Sequence, residues 1–428
     1  MGKRFRTLIL CSCLLMVNIS LACAYDYPFT DRYVATILGT PDEFAAPVPE
    51  EIPVKIGTLQ MFPEREVPGI LWNLTDLYYS TVLQAKPAPL VFLIAGTGAS
   101  FNSSKMQAMQ KQFYQAGYHV VSISSPTVAN FIVAASTSGV PGDLVEDSAD
   151  IYRVMEKIWQ KLEKKIEVTG FYVTGYSLGA AQTAYVAHLD EQKKVFNFKK
   201  ALMINPPLSL YNSVRILDDM LEQNIPGGLD HFNDFYQSAI DAFADVYAHG
   251  DNVDFNDQFL YKAYQYRKPK SEDRLKALIG VDFRLSSENM VFASDVMTKA
   301  GYVVSRDVNL GRFDIPTNYI KVLGRLTFVD YFKGLFLPHF QAQNPKLTEA
   351  EMIKRISLYP IEDYLRTSPK IGLIHNEDDI IMQPGEVDIL RQMLGKRAFI
   401  FPLGGHCGNM SYPENVAAML DFFQASKN

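Results

Sequence analysis

The chain has 428 residues, 48% of them apolar, with Lys+Arg 41 against Asp+Glu 47. That is enough apolar material for one large core or two smaller ones. A formal net charge of -6 without a long basic run argues against nucleic acid as a partner. The short clusters Lys193-Lys194 with Lys199-Lys200, and Lys161 with Lys164-Lys165, read as solvated edges of elements.

The N-terminus reads as a signal peptide over residues 1–24. Lys3, Arg4 and Arg6 precede a mostly apolar run from Thr7 to Leu21, and Ala22-Cys23-Ala24 supplies the small-x-small cleavage pattern. The run is short for a membrane span, and no later segment reaches the ~18 apolar residues that a spanning helix needs, so no transmembrane segment is expected after cleavage. The expectation is an exported protein, periplasmic or secreted, starting near Tyr25. Cys23 leaves a lipid-anchored alternative open. Cys11, Cys13 and Cys23 all fall in the leader, so the mature chain keeps Cys407 alone and forms no internal bridge. Glycosylation sequons occur at Asn73, Asn102 and Asn409. Two of them flank segments used below for chemistry, which favours a bacterial envelope over a eukaryotic route.

Residues 25–50 read as an irregular lead-in punctuated by Pro28, Pro41, Pro47 and Pro49. Strands follow at 54–61, 77–83 and 90–95, the last ending in Gly96-Thr97-Gly98. Asn102 to Ser104 can cap a helix carrying Met106, Met109 and Phe113. The spacing then predicts a strand at 119–124, a helix at 143–162, a strand at 168–174, a helix at 178–189 and a strand at 201–204. Such alternation implies an α/β fold with a mostly parallel, doubly wound sheet. From 213 to 363 helical patterns take over: Phe232, Phe235, Ala239, Phe243 and Val246 share one face, and Thr348 with Glu351 forms a capping box. This Phe- and Tyr-rich block reads as a helical cap or lid insertion. Alternation resumes with a strand at 371–375, a helix at 384–394, a strand at 398–402 and a helix at 415–423. The core would thus comprise 51–212 and 364–428.

The chemistry starts at Gly175-Tyr176-Ser177-Leu178-Gly179, a G-x-S-x-G pattern that follows a strand and opens a helix. A serine on so tight a turn needs small neighbours, and the turn lifts its hydroxyl above the sheet. With these residues the chain resembles the α/β-hydrolase superfamily, of serine esterase or lipase type. The resemblance implies Ser177 as nucleophile, with an acid and then a histidine later in the chain. The acid lies in His375-Asn376-Glu377-Asp378-Asp379-Ile380-Ile381, where Asn376 stands in place of the usual Gly. Asp379 matches the pattern, and Asp378 stays open as the alternative. The base is His406 in Gly404-Gly405-His406-Cys407-Gly408. His119, His188, His231, His249 and His339 fit less well by position, and His375 reads as a supporting or core residue. Cys407 reads as a small buried filler.

The same resemblance implies two oxyanion donors, the amide of Leu178 and that of Thr97, with Gly98 as the alternative for the second. No metal-binding pattern and no phosphate-binding loop is visible, so neither metal nor cofactor is expected. The implied activity is cleavage of a small-molecule or lipid-like ester through an acyl-enzyme. Thioester, amide and acyl-transfer chemistry remain alternatives, as does a non-catalytic binding module on the same fold. The sequence is silent on oligomeric state.

Overall fold

Eight strands pair into one sheet: β1 (Val54–Leu59), β2 (Leu77–Val82), β3 (Ala88–Ile94), β4 (His119–Ile123), β5 (Val168–Tyr176), β6 (Lys200–Ile204), β7 (Ile371–Asn376) and β8 (Ala398–Phe401). Their order across the sheet is β1-β2-β4-β3-β5-β6-β7-β8. The strand β2 runs antiparallel to both its neighbours, and β4 through β8 are parallel. These positions come from a computed structural model, which describes residues 25–238, 241 and 271–424. The expected leader, with Cys11, Cys13 and Cys23, lies outside the described residues, as do His249 and the helix positions Ala239, Phe243 and Val246.

The strand β3 shows why the sheet is continuous and apolar. Leu90, Phe92 and Ile94 point to one face, Val91 and Leu93 to the other, and all five are fully buried. The first face is covered by α4 (Leu144–Leu162) and α5 (Leu178–Lys193), the second by α2 (Ser104–Gln115) and the C-terminal helix Pro413–Gln424. Burial on both faces leaves no polar alternation, and each such side chain contributes about 1.5–3 kcal/mol of transfer free energy. Because β3 lies between β4 and β5, the chain leaves β3 and β5 in opposite lateral directions. Their following loops therefore part at a crevice on the carboxyl edge, where open α/β sheets bind ligands.

The lead-in is not irregular throughout. Arg32–Leu38 forms a helix, α1, with Asp31 at its N-cap accepting from the amides of Tyr33 and Val34. Tyr33 and Ile37, one turn apart, are buried against Ile380 and Ile381. The prolines that suggested an irregular segment lie on either side of this helix. Asp143 likewise caps α4, accepting from Val145 and Glu146.

Between β6 and β7 the described residues are mainly helical. The two longest helices among them are α6 (Leu210–Glu222) and α7 (Glu272–Thr298). A buried ion pair, Arg284 to Asp218 at 3.2 Å, joins them. Asp218 also accepts from the amides of Phe328 and Val329, fixing the start of the helical run at 328–343. Thr348 and Glu351 form the expected capping box. Phe292, Phe332, Phe336 and Phe340 build a core for this block together with Ile132 and Val133 from the short helix α3 (Ala129–Ala134). The cap is therefore not the insertion alone, since α3, before β5, packs into it.

Candidate active site

Ser177 sits between β5 and α5 with φ 54 and ψ -127, a conformation that L-residues rarely adopt. The flanking glycines explain how the chain gets there. A Cβ on Gly179 would lie 2.4 Å from the Ile94 carbonyl oxygen, and one on Gly175 would lie 2.4 Å from the Gly179 carbonyl oxygen. The contacts are backbone to backbone, so no rotamer change could relieve them. The turn is braced by the Ser177 amide donating to the Ile204 carbonyl at 2.9 Å.

The loops after β7 and β8 meet this turn. His406 Nε2 lies 2.9 Å from Ser177 Oγ, and His406 Nδ1 lies 3.0 Å from each carboxylate oxygen of Asp379. All three side chains are buried. A serine elbow after β5, an acid after β7 and a histidine after β8, on a sheet of this order, specify one architecture. The chain has the α/β-hydrolase fold.

Within the hydrolase fold, Asp379 is held by more than the imidazole. Asn205 Nδ2 donates to it at 2.8 Å and the Ile381 amide at 3.1 Å. Burial pushes the Asp379 carboxyl up, but the neighbouring His406 outweighs it and the group lies below the ordinary carboxylate value. Burial pulls the His406 imidazolium down, and the Asp379 carboxylate together with the adjacent Cys407 outweighs it and holds the group above the ordinary histidine value. Asp378 takes another position. It accepts from the amides of Gly404 and Gly405, at 3.2 and 2.9 Å, and so shapes the loop that carries His406. His375 is buried, with Nε2 3.2 Å from the Pro206 carbonyl and Nδ1 accepting from the Asn376 amide.

Asn376, which replaces the usual Gly, ties the acid loop to the histidine loop. Its Nδ2 donates to the Gly405 carbonyl at 2.8 Å, and its Oδ1 accepts from Asn409 Nδ2 at 2.7 Å. Asn409 is buried and its amide nitrogen also reaches the Leu403 carbonyl and the Tyr25 hydroxyl. A glycan on Asn409 is incompatible with this packing, whereas Asn73 and Asn102 are exposed. Cys407 is buried with φ 61, its Sγ 3.9 Å from His406 Nε2.

The lead-in completes the histidine loop. The His406 amide donates to Thr36 Oγ1 at 2.9 Å, and that hydroxyl donates to the Arg32 carbonyl at 2.7 Å. A Cβ on Gly408 would come within 2.2 Å of the Ala35 carbonyl oxygen, so α1 packs against this loop at backbone contact. Thr36 and Asn205 had no sequence signal beyond their residue type.

Leu178 is the first residue of α5, where the amide has no intrahelical acceptor and faces the positive end of the helix dipole. Thr97 lies in the loop after β3, and among the described residues no backbone acceptor engages its amide. The alternative, Gly98, is occupied: its amide donates to Thr127 Oγ1 at 2.8 Å. Thr127, which the sequence did not single out, thereby fixes the curl of this loop. Among the described residues no cluster of three or more His, Cys, Asp or Glu side chains could hold a metal ion. Nor is any described helix long and apolar enough to cross a membrane.

No protein-family model and no curated protein matches the sequence. Among solved structures, an esterase structure from the fungus Rhizomucor miehei is 12% identical with a TM-score of 0.43, covering 89% of this chain and 87% of its own. Est1E from Butyrivibrio proteoclasticus is 11% identical with a TM-score of 0.36, covering 82% of this chain and 95% of its own. Proline iminopeptidase from Mycobacterium smegmatis is 14% identical with a TM-score of 0.39, covering 82% and 95%.

Proposed function

We propose that this chain is an exported serine hydrolase that cleaves a carboxylic ester-type bond through Ser177, His406 and Asp379. The observation that supports the reading most is the imidazole of His406 bridging the Ser177 hydroxyl and the Asp379 carboxylate, at 2.9 and 3.0 Å. A general base must lie within such reach of the proton it removes.

In the proposed reaction His406 Nε2 takes the Ser177 proton as Oγ attacks the substrate carbonyl. The carbonyl oxygen becomes an oxyanion, and the amides of Leu178 and Thr97 donate to it. The imidazolium is stabilised by Asp379, which also keeps the proton of neutral His406 on Nδ1. His406 then protonates the leaving oxygen, and water repeats the sequence on the acyl-enzyme. Ser177→Ala abolishes turnover of p-nitrophenyl esters and labelling by a fluorophosphonate probe, with a melting temperature close to that of the parent. Undiminished turnover in Ser177→Ala defeats the assignment. The export part of the reading rests on the basic start and apolar run before Tyr25, and on the cleavage pattern at Ala22-Cys23-Ala24. N-terminal sequencing of the protein recovered outside the cytoplasm tests it: a chain that keeps its first 24 residues overturns it.

A further inference from the structure

Two adjoining clefts open at the carboxyl edge of the sheet. Ser177 and His406 line the smaller, of about 340 Å³. The larger, of about 520 Å³, is lined by neither. Thr97, Leu178, Leu210, Val214 and Phe328 line both, so the junction of the clefts coincides with the two amides assigned to the oxyanion. Past that junction the larger cleft is walled by Met290, Tyr331, Phe332, Phe336 and Ile356.

Two of its hydroxyls are already engaged inside the protein. Thr127 Oγ1 accepts from the Gly98 amide, and Tyr331 donates to the Pro141 carbonyl at 2.8 Å. Of the lining side chains none is charged. A polar occupant would lose its hydration there without recovering hydrogen bonds, so the space suits hydrocarbon.

Stereochemistry decides which half of a substrate this is. The leaving group has to lie within reach of His406, because that side chain protonates it. The larger cleft extends past the oxyanion amides on the side that His406 does not line. We propose that it receives the acyl chain, and that the substrates are esters of medium-length aliphatic acids. This rests on the serine-hydrolase reading above. Much of that volume is open mouth: about 60 Å³ is free to the centre of a water-sized group, and at ~10–15 Å³ for each such group that is room for roughly four to six of them. That corresponds to roughly four to six carbons beyond the carbonyl.

The test is kcat/KM for p-nitrophenyl acetate, butyrate, hexanoate, octanoate and palmitate, in the parent, Ser177→Ala, Val214→Phe and Phe336→Ala. In the parent the value climbs about fourfold for each added methylene up to the medium-chain range, the worth of burying one such group, and falls at palmitate. Val214→Phe puts a ring at the junction and lowers the octanoate value at least tenfold more than the acetate value. Phe336→Ala opens a wall and moves the optimum to longer chains. A thermal melt of each variant accompanies the assay, and if Phe336→Ala is unfolded the Val214→Phe ratio decides. A flat length profile, or a Val214→Phe enzyme in which all esters fall by the same factor, overturns the acyl assignment while turnover still depends on Ser177. If esters are hydrolysed equally well by Ser177→Ala, it is the serine-hydrolase reading that fails.

Discussion

Replacing Asp379 by Asn tests the proposed machinery at its least exposed point. The carboxylate accepts from His406 Nδ1, from Asn205 Nδ2 and from the Ile381 amide, so its two oxygens serve three donors. Asparagine has nearly the same shape but one oxygen. Asn205 and the Ile381 amide engage different oxygens, so the single oxygen keeps one of them, and the new NH₂, also within reach of the imidazole, needs an unprotonated Nδ1 to donate to. The ring proton then sits on Nε2, directed at Ser177, where it cannot accept the serine proton. The wrong tautomer costs ~10⁴-fold in kcat, or about 5.5 kcal/mol of barrier. A second effect has a definite sign. Burial lowers the His406 imidazolium, the Asp379 carboxylate and, less, Cys407 raise it, and together they prevail. The parent's kcat/KM therefore rises with pH above the ordinary histidine range, as His406 loses its proton. In Asp379→Asn that limb moves to lower pH, because the main influence opposing burial is gone. Initial rates on a p-nitrophenyl ester from pH 5 to 10, read at the isosbestic wavelength of the phenol, measure both. A loss smaller than tenfold, or a limb that stays in place, refutes the reasoning.

Gly179→Ala places a methyl 2.4 Å from the Ile94 carbonyl and 2.6 Å from that of Ala95, with backbone on both sides. A loss of more than ~4 kcal/mol in urea unfolding, or failure to fold, is the expected result, since α5 must move off β3. Thr36→Val keeps the volume but leaves the buried His406 amide without its acceptor. It costs about 1–3 kcal/mol of stability, with kcat lowered about tenfold and KM unchanged in steady-state assays. Asp218→Ala leaves the buried Arg284 charge with only the more distant Glu222, at 3.9 Å, and leaves two amides without their acceptor. The expected loss is about 3–5 kcal/mol, seen in limited proteolysis as cleavage within 205–370 before the sheet is cut.

What the sequence disclosed was local. The apolar run of β3, the glycines around Ser177 and the glycine-flanked His406 each carry their signal within a few residues, and the elements they sit on formed within two or three residues of the expected bounds, except that the helix after Ser177 runs four residues further. The choice between Asp378 and Asp379 could not be read that way, because adjacent carboxylates leave a loop in different directions and only the folded loop assigns one to His406 and the other to the Gly404 and Gly405 amides. Thr36 meets His406 across 370 positions and Asn205 meets Asp379 across 174, with no periodicity to announce either contact. The helix α1 was available from Asp31 as cap and from Tyr33 and Ile37 one turn apart, and the surrounding prolines masked it. At Asn409 the sequon is intact in sequence, but its amide is spent on Asn376, Leu403 and Tyr25.

The strap that the first described residues lay along the histidine loop has a bearing on how the proposed site matures. Besides Thr36, Tyr25 donates to Asn415 and Tyr412 donates to the Asp26 carbonyl, across 390 and 386 positions. Residues 25–36 and 406–415 thus meet around a single imidazole. Contacts of such separation form late, after the entropy of closing so long a chain has been offset by the interior. A chain in which residues 25–36 have not yet docked would carry a finished serine turn and an unseated base. Competence for chemistry would then arrive as a late event of folding, once these two segments have met.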